Sequence, residues 1–118
     1  MTEQRRGPKG APAAACVVRR CGGRAFRIEG ELDEATAKTL LCGMEHEIAG
    51  AGDLVLDLAD LTSTDSGGAD ALAEIAGKVD GDLILLSPQP DVVVVLKTAK
   101  ICERFPNIVV FCTPRPRR

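Results

Sequence analysis

The stretch from Leu54 to Leu72, LVLDLADLTSTDSGGADAL, holds the side chains best suited to chemistry. An apolar run gives way to four hydroxyl residues, one carboxylate and a glycine pair: Thr62, Ser63, Thr64, Asp65, Ser66, Gly67 and Gly68. A hydroxyl here could accept a phosphoryl group, which would add about −1.5 to −2 charges beside Asp65. Alternatively, Asp65 or Ser66 could simply cap the helix expected to follow, since both residue types are good N-caps. For Ser66 the two interpretations stay open at this stage.

The Gly67–Gly68 pair also has two interpretations. Glycine allows another backbone to approach closely, although each one costs about 1 kcal/mol of helix propensity. The approaching backbone could belong to a docked protein. The pair could equally serve a tight turn within the chain.

Other kinds of active site are not supported by the sequence. The phosphate-binding patterns GxxxxGK[ST] and GxGxxG are absent, and the segment TDSGG does not fit the nucleophile pattern GxSxG. The single histidine, His46, falls off the apolar stripe of its predicted helix, so we expect it at the surface. Asp57 has no evident partner and could lie at a sheet edge. We therefore expect a protein that is not an enzyme and binds no cofactor.

Composition indicates one domain with an aliphatic core. The 118 residues are 45% hydrophobic and 27% charged, with no Trp, no Tyr and three Phe. A net charge of −2 and so few aromatic residues argue against direct nucleic-acid binding. No stretch is apolar and long enough for membrane insertion or a signal peptide, so we expect a cytoplasmic protein.

The cysteines do not indicate a metal site. No CxxC pair occurs, and one histidine is available to join the five cysteines, which are Cys16, Cys21, Cys42, Cys102 and Cys112. In a reducing compartment we expect free thiols that behave as small apolar groups. A redox pair remains an alternative, and the sequence does not choose its members.

The expected elements alternate between strands and helices. Strand-like runs around Gly22-Gly23 predict a hairpin, and Asp33 predicts the start of a helix from Glu34 to about Ala49. LVLDL predicts a strand buried on both faces, and a helix over 66–77 follows. DLILLS and NIVVF predict two further strands. The order β-β-α-β-α-β-α-β predicts an α/β fold, with a mainly parallel sheet of about five strands, an N-terminal β-hairpin and helices packed against the sheet.

The segment PDVVVVLKTAKICERF is ambiguous on its own. Four consecutive valines favour a strand, whereas the alternation of elements favours a helix, because neighbouring parallel strands need a crossover. In a helix, at least one of Val93 and Val94 must face outward. An exposed apolar patch is typical of a protein contact, and a homodimer is one way to cover it.

The two ends of the chain differ from the middle. Residues 1–14 are rich in Gly, Pro, Arg and Ala and predict a disordered leader. Residues 114–118 predict a basic tail, which leaves a single domain over 15–113.

The element order, with GELD before the first helix and LDLADLTSTDSGGADAL in the middle, resembles the STAS family, the sulfate-transporter and anti-sigma-factor-antagonist domains. The resemblance spans about Cys16 to Phe111. In the family's motif a strand ends in Asp-Ser-Ser-Gly or Asp-Ser-Thr-Gly, and here Asp65, Ser66 and Gly68 match the Asp, the first Ser and the Gly. Gly67 replaces the second hydroxyl residue, so the resemblance implies the fold and a binding role more firmly than phosphorylation. SPQPDVVVVLKTAKI resembles the family's later Pro turn and helix, with Leu96 at its centre.

The resemblance implies an anti-sigma-factor antagonist that binds an anti-sigma factor of the serine-kinase type. Ser66 is then the first candidate phosphoacceptor, with Ser63 and Thr64 as weaker ones. The expected docking surface is the Thr62–Gly68 loop with the following helix, through Thr62, Asp65, Ser66, Gly67, Gly68, Asp70, Ala71 and Glu74. The alternatives are a STAS-like scaffold subunit of a lipid-transport ABC complex or of a stress-sensing assembly, and a thiol redox sensor.

Overall fold

The computed structural model describes residues 16–50 and 52–112. The predicted leader over 1–14 and the basic tail over 114–118 lie outside these residues. The described elements are, in chain order, β1 (Cys16–Gly22), β2 (Ala25–Leu32), α1 (Glu34–Gly43), α2 (Glu45–Ala49), β3 (Leu54–Asp57), β4 (Leu61–Thr64), α3 (Ser66–Lys78), β5 (Leu83–Leu86), α4 (Pro90–Thr98), α5 (Ile101–Arg104) and β6 (Ile108–Phe111).

The strands form one sheet in the order β1-β2-β3-β5-β6, and β4 pairs with the end of β2 beyond β3. β1 and β2 are antiparallel, and the other pairs are parallel. The predicted fold class is confirmed, with six strands where about five were expected. The N-terminal hairpin turns at Gly22 and Gly23, whose φ angles of 115° and 55° lie in the region that glycine adopts freely.

The core is aliphatic, as the composition predicted. The helices contact one another in a single layer, and β2, β3 and β5 bury alternate side chains against it. The prediction that β3 is buried on both faces is wrong in one respect, because Val55 and Asp57 are only half-buried. The largest fully buried side chains are Ile28, Leu32, Leu40, Met44, Leu54, Leu56, Leu58, Leu61, Leu72, Ile75, Leu83 and Leu85.

The first helix is shorter than predicted. A single helix from Glu34 to about Ala49 was expected, but Met44 leaves the helical conformation, with φ −111° and ψ 13°, and separates α1 from α2. Gly43 weakens the helix just before this point because glycine has a low helix propensity. The predicted N-cap is confirmed, since the Asp33 side chain accepts a hydrogen bond from the Thr36 backbone N–H.

The valine run, which could have been a strand or a helix, forms the helix α4. This helix is the crossover that the parallel strands β5 and β6 need. In α4, Val92 and Leu96 are buried, whereas the side chain of Val94 is 62% exposed. The prediction that at least one valine faces outward is therefore confirmed.

The largest departure from the sequence prediction is β4. Residues 62–64 were expected in a loop, but they belong to a strand that pairs in parallel with the end of β2. The Thr62 hydroxyl donates to the Gly30 carbonyl at 2.9 Å, and the Thr64 hydroxyl donates to the Leu32 carbonyl at 2.7 Å. These side-chain bonds reinforce the pairing with β2, so polar residues stabilise a strand here.

The glycine pair at the start of α3 packs against the chain itself. A Cβ at Gly67 would lie 2.8 Å from the Glu34 Cβ, closer than real Cβ atoms approach. A Cβ at Gly68 would overlap the Thr64 hydroxyl and the Leu32 carbonyl. The pair does not form a tight turn, since both glycines lie in α3 and neither has a positive φ. The backbone that approaches them closely belongs to the chain itself.

We predict that Gly68→Ala lowers the free energy of unfolding by about 1–3 kcal/mol, because the new methyl group overpacks a contact made partly by backbone atoms. The control is Gly43→Ala, where a Cβ meets nothing within 4 Å. It should leave stability unchanged or raise it by up to about 1 kcal/mol. Chemical denaturation measures both, and a Gly68→Ala protein as stable as the unsubstituted one would contradict the packing argument.

Candidate functional site

Two helices begin side by side at one end of the sheet, α1 directly after β2 and α3 directly after β4. Each start is capped by an aspartate, Asp33 for α1 and Asp65 for α3. The Asp65 carboxylate accepts a hydrogen bond from the Gly68 backbone N–H at 2.9 Å. Asp65 is thus the cap of α3, and Ser66 is the first helical residue. Its side chain is exposed and makes no hydrogen bond to the described residues.

The four hydroxyl residues fall into two groups. Thr62 and Thr64 donate to carbonyls of β2 and so take part in strand pairing. Ser63 and Ser66 are exposed, and within the described chain neither side chain has a hydrogen-bond partner. A partner or a modifying enzyme can therefore reach the two serines without breaking a bond inside the protein.

A shallow depression of about 600 Å³ lies between the two helix starts. It is lined by Asp33, Glu34, Ala35, Lys38 and Asp65, so carboxylates outnumber the single cation. The backbone N–H of Thr36, which donates to the Asp33 carboxylate, holds the pKa of Asp33 below its usual value, and the Thr36 hydroxyl acts in the same direction. Asp33 is therefore ionised at neutral pH, and the depression is acidic.

Only part of the predicted docking surface is accessible. Gly68 and Ala71 are buried, Ala71 with 4% of its surface exposed, so neither presents a side chain to a partner. Asp70 is exposed and pairs with Arg104 at 3.2 Å, and Glu74 is exposed and pairs with Lys78 at 3.0 Å. Of the predicted docking residues, Thr62, Asp65, Ser66, Asp70 and Glu74 are exposed, and Gly67 is half-buried.

Sequence reasoning missed the contribution of α1 to this surface. Asp33 was recognised as a cap, but Glu34 and Lys38 were not assigned to the site. The signal was present in the motif GELD, which places the start of a helix directly after β2. What the sequence did not reveal is that β4 pairs with the end of β2 and so brings the two starts together.

Other candidate groups take no part in this site. His46 is exposed on α2, as predicted. Asp57 lies on β3, between β2 and β5, so its expected place at a sheet edge is wrong. Its carboxylate accepts a hydrogen bond from the Ala59 backbone N–H at 2.9 Å and lies 3.7 Å from the Arg27 Nε atom.

Within residues 16–50 and 52–112, no group of three or more His, Cys, Asp or Glu side chains could hold a metal ion. In the same part of the chain, no helix has the length and apolar character needed to cross a membrane.

Comparison with known proteins identifies the family of the domain. The STAS domain model matches residues 16–113. The fold is similar to a solved structure of the anti-sigma factor antagonist SpoIIAA in its unphosphorylated form, with a TM-score of 0.63 and 19% identity over 81% of this chain and 87% of that chain. At this level of identity the similarity concerns the fold. No curated protein sequence matches at a significant level.

We predict that Asp65→Ala lowers the free energy of unfolding by about 1 kcal/mol, since it removes the cap of α3. The neighbouring Ser66→Ala should change stability by less than about 0.5 kcal/mol, because the hydroxyl it removes has no internal partner. Thermal or chemical unfolding of both variants provides the comparison. A Ser66→Ala protein destabilised as much as Asp65→Ala would show that Ser66 has a structural role.

Proposed function

Since the chain belongs to the STAS domain family, we propose that it acts as an anti-sigma-factor antagonist in a cytoplasmic partner switch. It binds an anti-sigma factor that has serine-kinase activity, and this binding releases a sigma factor for transcription. ATP binds to the kinase, so this chain needs no cofactor of its own. The fold is similar to that of an antagonist solved in its unphosphorylated form, and a shared fold is consistent with this role.

The observation that carries the proposal is the free hydroxyl of Ser66 at the start of α3. Asp65 makes the capping bond, so the fold does not use the Ser66 side chain. Ser63 is also exposed but lies on β4, whereas the Thr64 hydroxyl is bonded to the Leu32 carbonyl. The order of candidate phosphoacceptors is therefore Ser66, then Ser63, then Thr64.

A phosphate on Ser66 would change the surface without disturbing the fold. The first turn of a helix has unpaired N–H groups and a partial positive charge, which favour a negative group there. At the centre of a docked interface, however, the phosphate would have to lose its hydration shell. That costs several kcal/mol unless the partner supplies a matched cation. Phosphorylation would therefore release the partner while α3 stays folded.

The docking surface we propose consists of Thr62, Ser63, Asp65, Ser66, Asp70 and Glu74, with the acidic depression beside it. Carboxylates dominate this surface, so the anti-sigma factor should place basic residues opposite Asp70 and Glu74 but none opposite Ser66, where a cation would hold the phosphate. Complementary charge of this kind mainly raises the association rate and falls off at high salt.

A pull-down from the source cells, followed by mass spectrometry, identifies the partner. Recovery of a serine-kinase-type anti-sigma factor supports the proposal. Recovery of a transport ATPase would favour a scaffold role instead.

With that kinase and ATP, we predict that mass spectrometry finds phosphate on Ser66 in the unsubstituted protein and in Ser63→Ala, and none in Ser66→Ala. Ser66→Asp should bind the partner at least about tenfold more weakly, which corresponds to about 1.4 kcal/mol. Ser66→Ala should bind normally. If Ser66→Ala carries phosphate on Ser63, the phosphoacceptor is Ser63 rather than Ser66. If no phosphate is found on Ser66, Ser63 or Thr64, the phosphorylation switch is wrong and the docking proposal remains.

A further inference from the structure

A second cavity, of about 500 Å³, lies between α4, α5 and β6, away from the start of α3. Its volume falls within the range of small-molecule sites, which is about 300–1,000 Å³. The apolar part of its wall comes from Val93, Leu96 and Val110. Val93 and Val110 are half-buried, so apolar surface remains for a ligand to cover.

The rim of the cavity carries two ammonium groups, Lys97 and Lys100. Within the described residues, neither lysine side chain has a carboxylate partner. Glu103 also borders the cavity and offsets part of their charge, which leaves a net positive rim. An apolar wall with a net positive rim is complementary to a ligand with an apolar body and a single anionic end.

Lys100 has an unusual backbone conformation for a lysine. Its φ of 56° and ψ of 36° are left-handed, and it occupies the position after α4 where glycine is the common residue. A side chain in this conformation is unfavourable relative to glycine. The chain thus carries a cation at the cavity rim in a place where glycine would be more stable.

We propose that this cavity binds a medium-chain fatty acid. The alkyl chain covers Val93, Leu96 and Val110, and the carboxylate meets the ammonium groups of Lys97 and Lys100. The proposal does not depend on the partner switch, because none of these residues belongs to the docking surface.

Two thiols report on occupancy of the cavity. Cys102 and Cys112 both line it, whereas Cys21 lies on β1 and is exposed elsewhere. Octanoate, decanoate or dodecanoate, kept below the concentration at which micelles form, should slow the alkylation of Cys102 and Cys112 by N-ethylmaleimide. The alkylation of Cys21 in the same sample should not change. Peptide mass spectrometry measures each rate.

Calorimetry gives the affinities. Binding should strengthen with chain length, by up to about fourfold for each fully buried methylene. Octanol, the neutral match of octanoate, should bind at least about tenfold more weakly. Lys97→Met and Lys100→Gly should each weaken fatty-acid binding about two- to fivefold, as expected for an exposed charge pair, whereas Lys38→Met on α1 should not. Lys100→Gly should unfold at the same temperature as the unsubstituted protein or a higher one. Weaker fatty-acid binding by this variant could then not be explained by a loss of folded protein.

Equal alkylation of Cys102 and Cys112 with and without fatty acid would overturn the proposal. So would equal binding of octanol and octanoate, or unchanged affinity in both lysine variants.

Discussion

The backbone contact between the start of α3 and the end of β2 is the constraint on which the candidate site depends. Gly68 lies against the Leu32 carbonyl and the Thr64 hydroxyl, and Gly67 lies against Glu34, with no room for a Cβ at either position. Because this contact is made partly by backbone atoms, side-chain rotation cannot relax it. It fixes the starts of α1 and α3 relative to each other, and so it fixes the direction in which Ser66 faces.

Side chains that bond to the backbone alternate over residues 62–64 with one that does not. Thr62, Thr64 and Asp65 bond to the backbone, whereas Ser63 and Ser66 do not. The alternation over 62–64 follows from the strand, in which successive side chains point to opposite sides. A charge placed on either exposed serine would therefore leave intact the bonds that join β4 to β2, as the proposed switch requires.

The sequence predicted the parts of this arrangement that depend on local signals. Asp65 is a strong N-cap, and Leu72 and Ile75 repeat at helical spacing, so α3 was predicted within one residue of its end. β4 was missed because three polar residues in a row resemble a loop, and their strand conformation depends on hydrogen bonds to residues some thirty positions earlier. The glycine pair likewise left two interpretations open, and neither included the three-dimensional approach of Glu34 and Leu32 that the structure shows.

The proposed docking surface and the proposed fatty-acid cavity are linked through α5, and the strength of that link can be bounded. Asp70 on α3 pairs with Arg104 on α5, with 63% and 48% of their side chains exposed. An exposed pair contributes at most about 1 kcal/mol, so through it alone one site could change the affinity of the other by no more than about fivefold. Phe105, directly after α5, also lies close to Gly77 of α3. Coupling between distant sites requires an element with two arrangements. We therefore expect little coupling between the two proposed sites as long as α3 and α5 keep this packing.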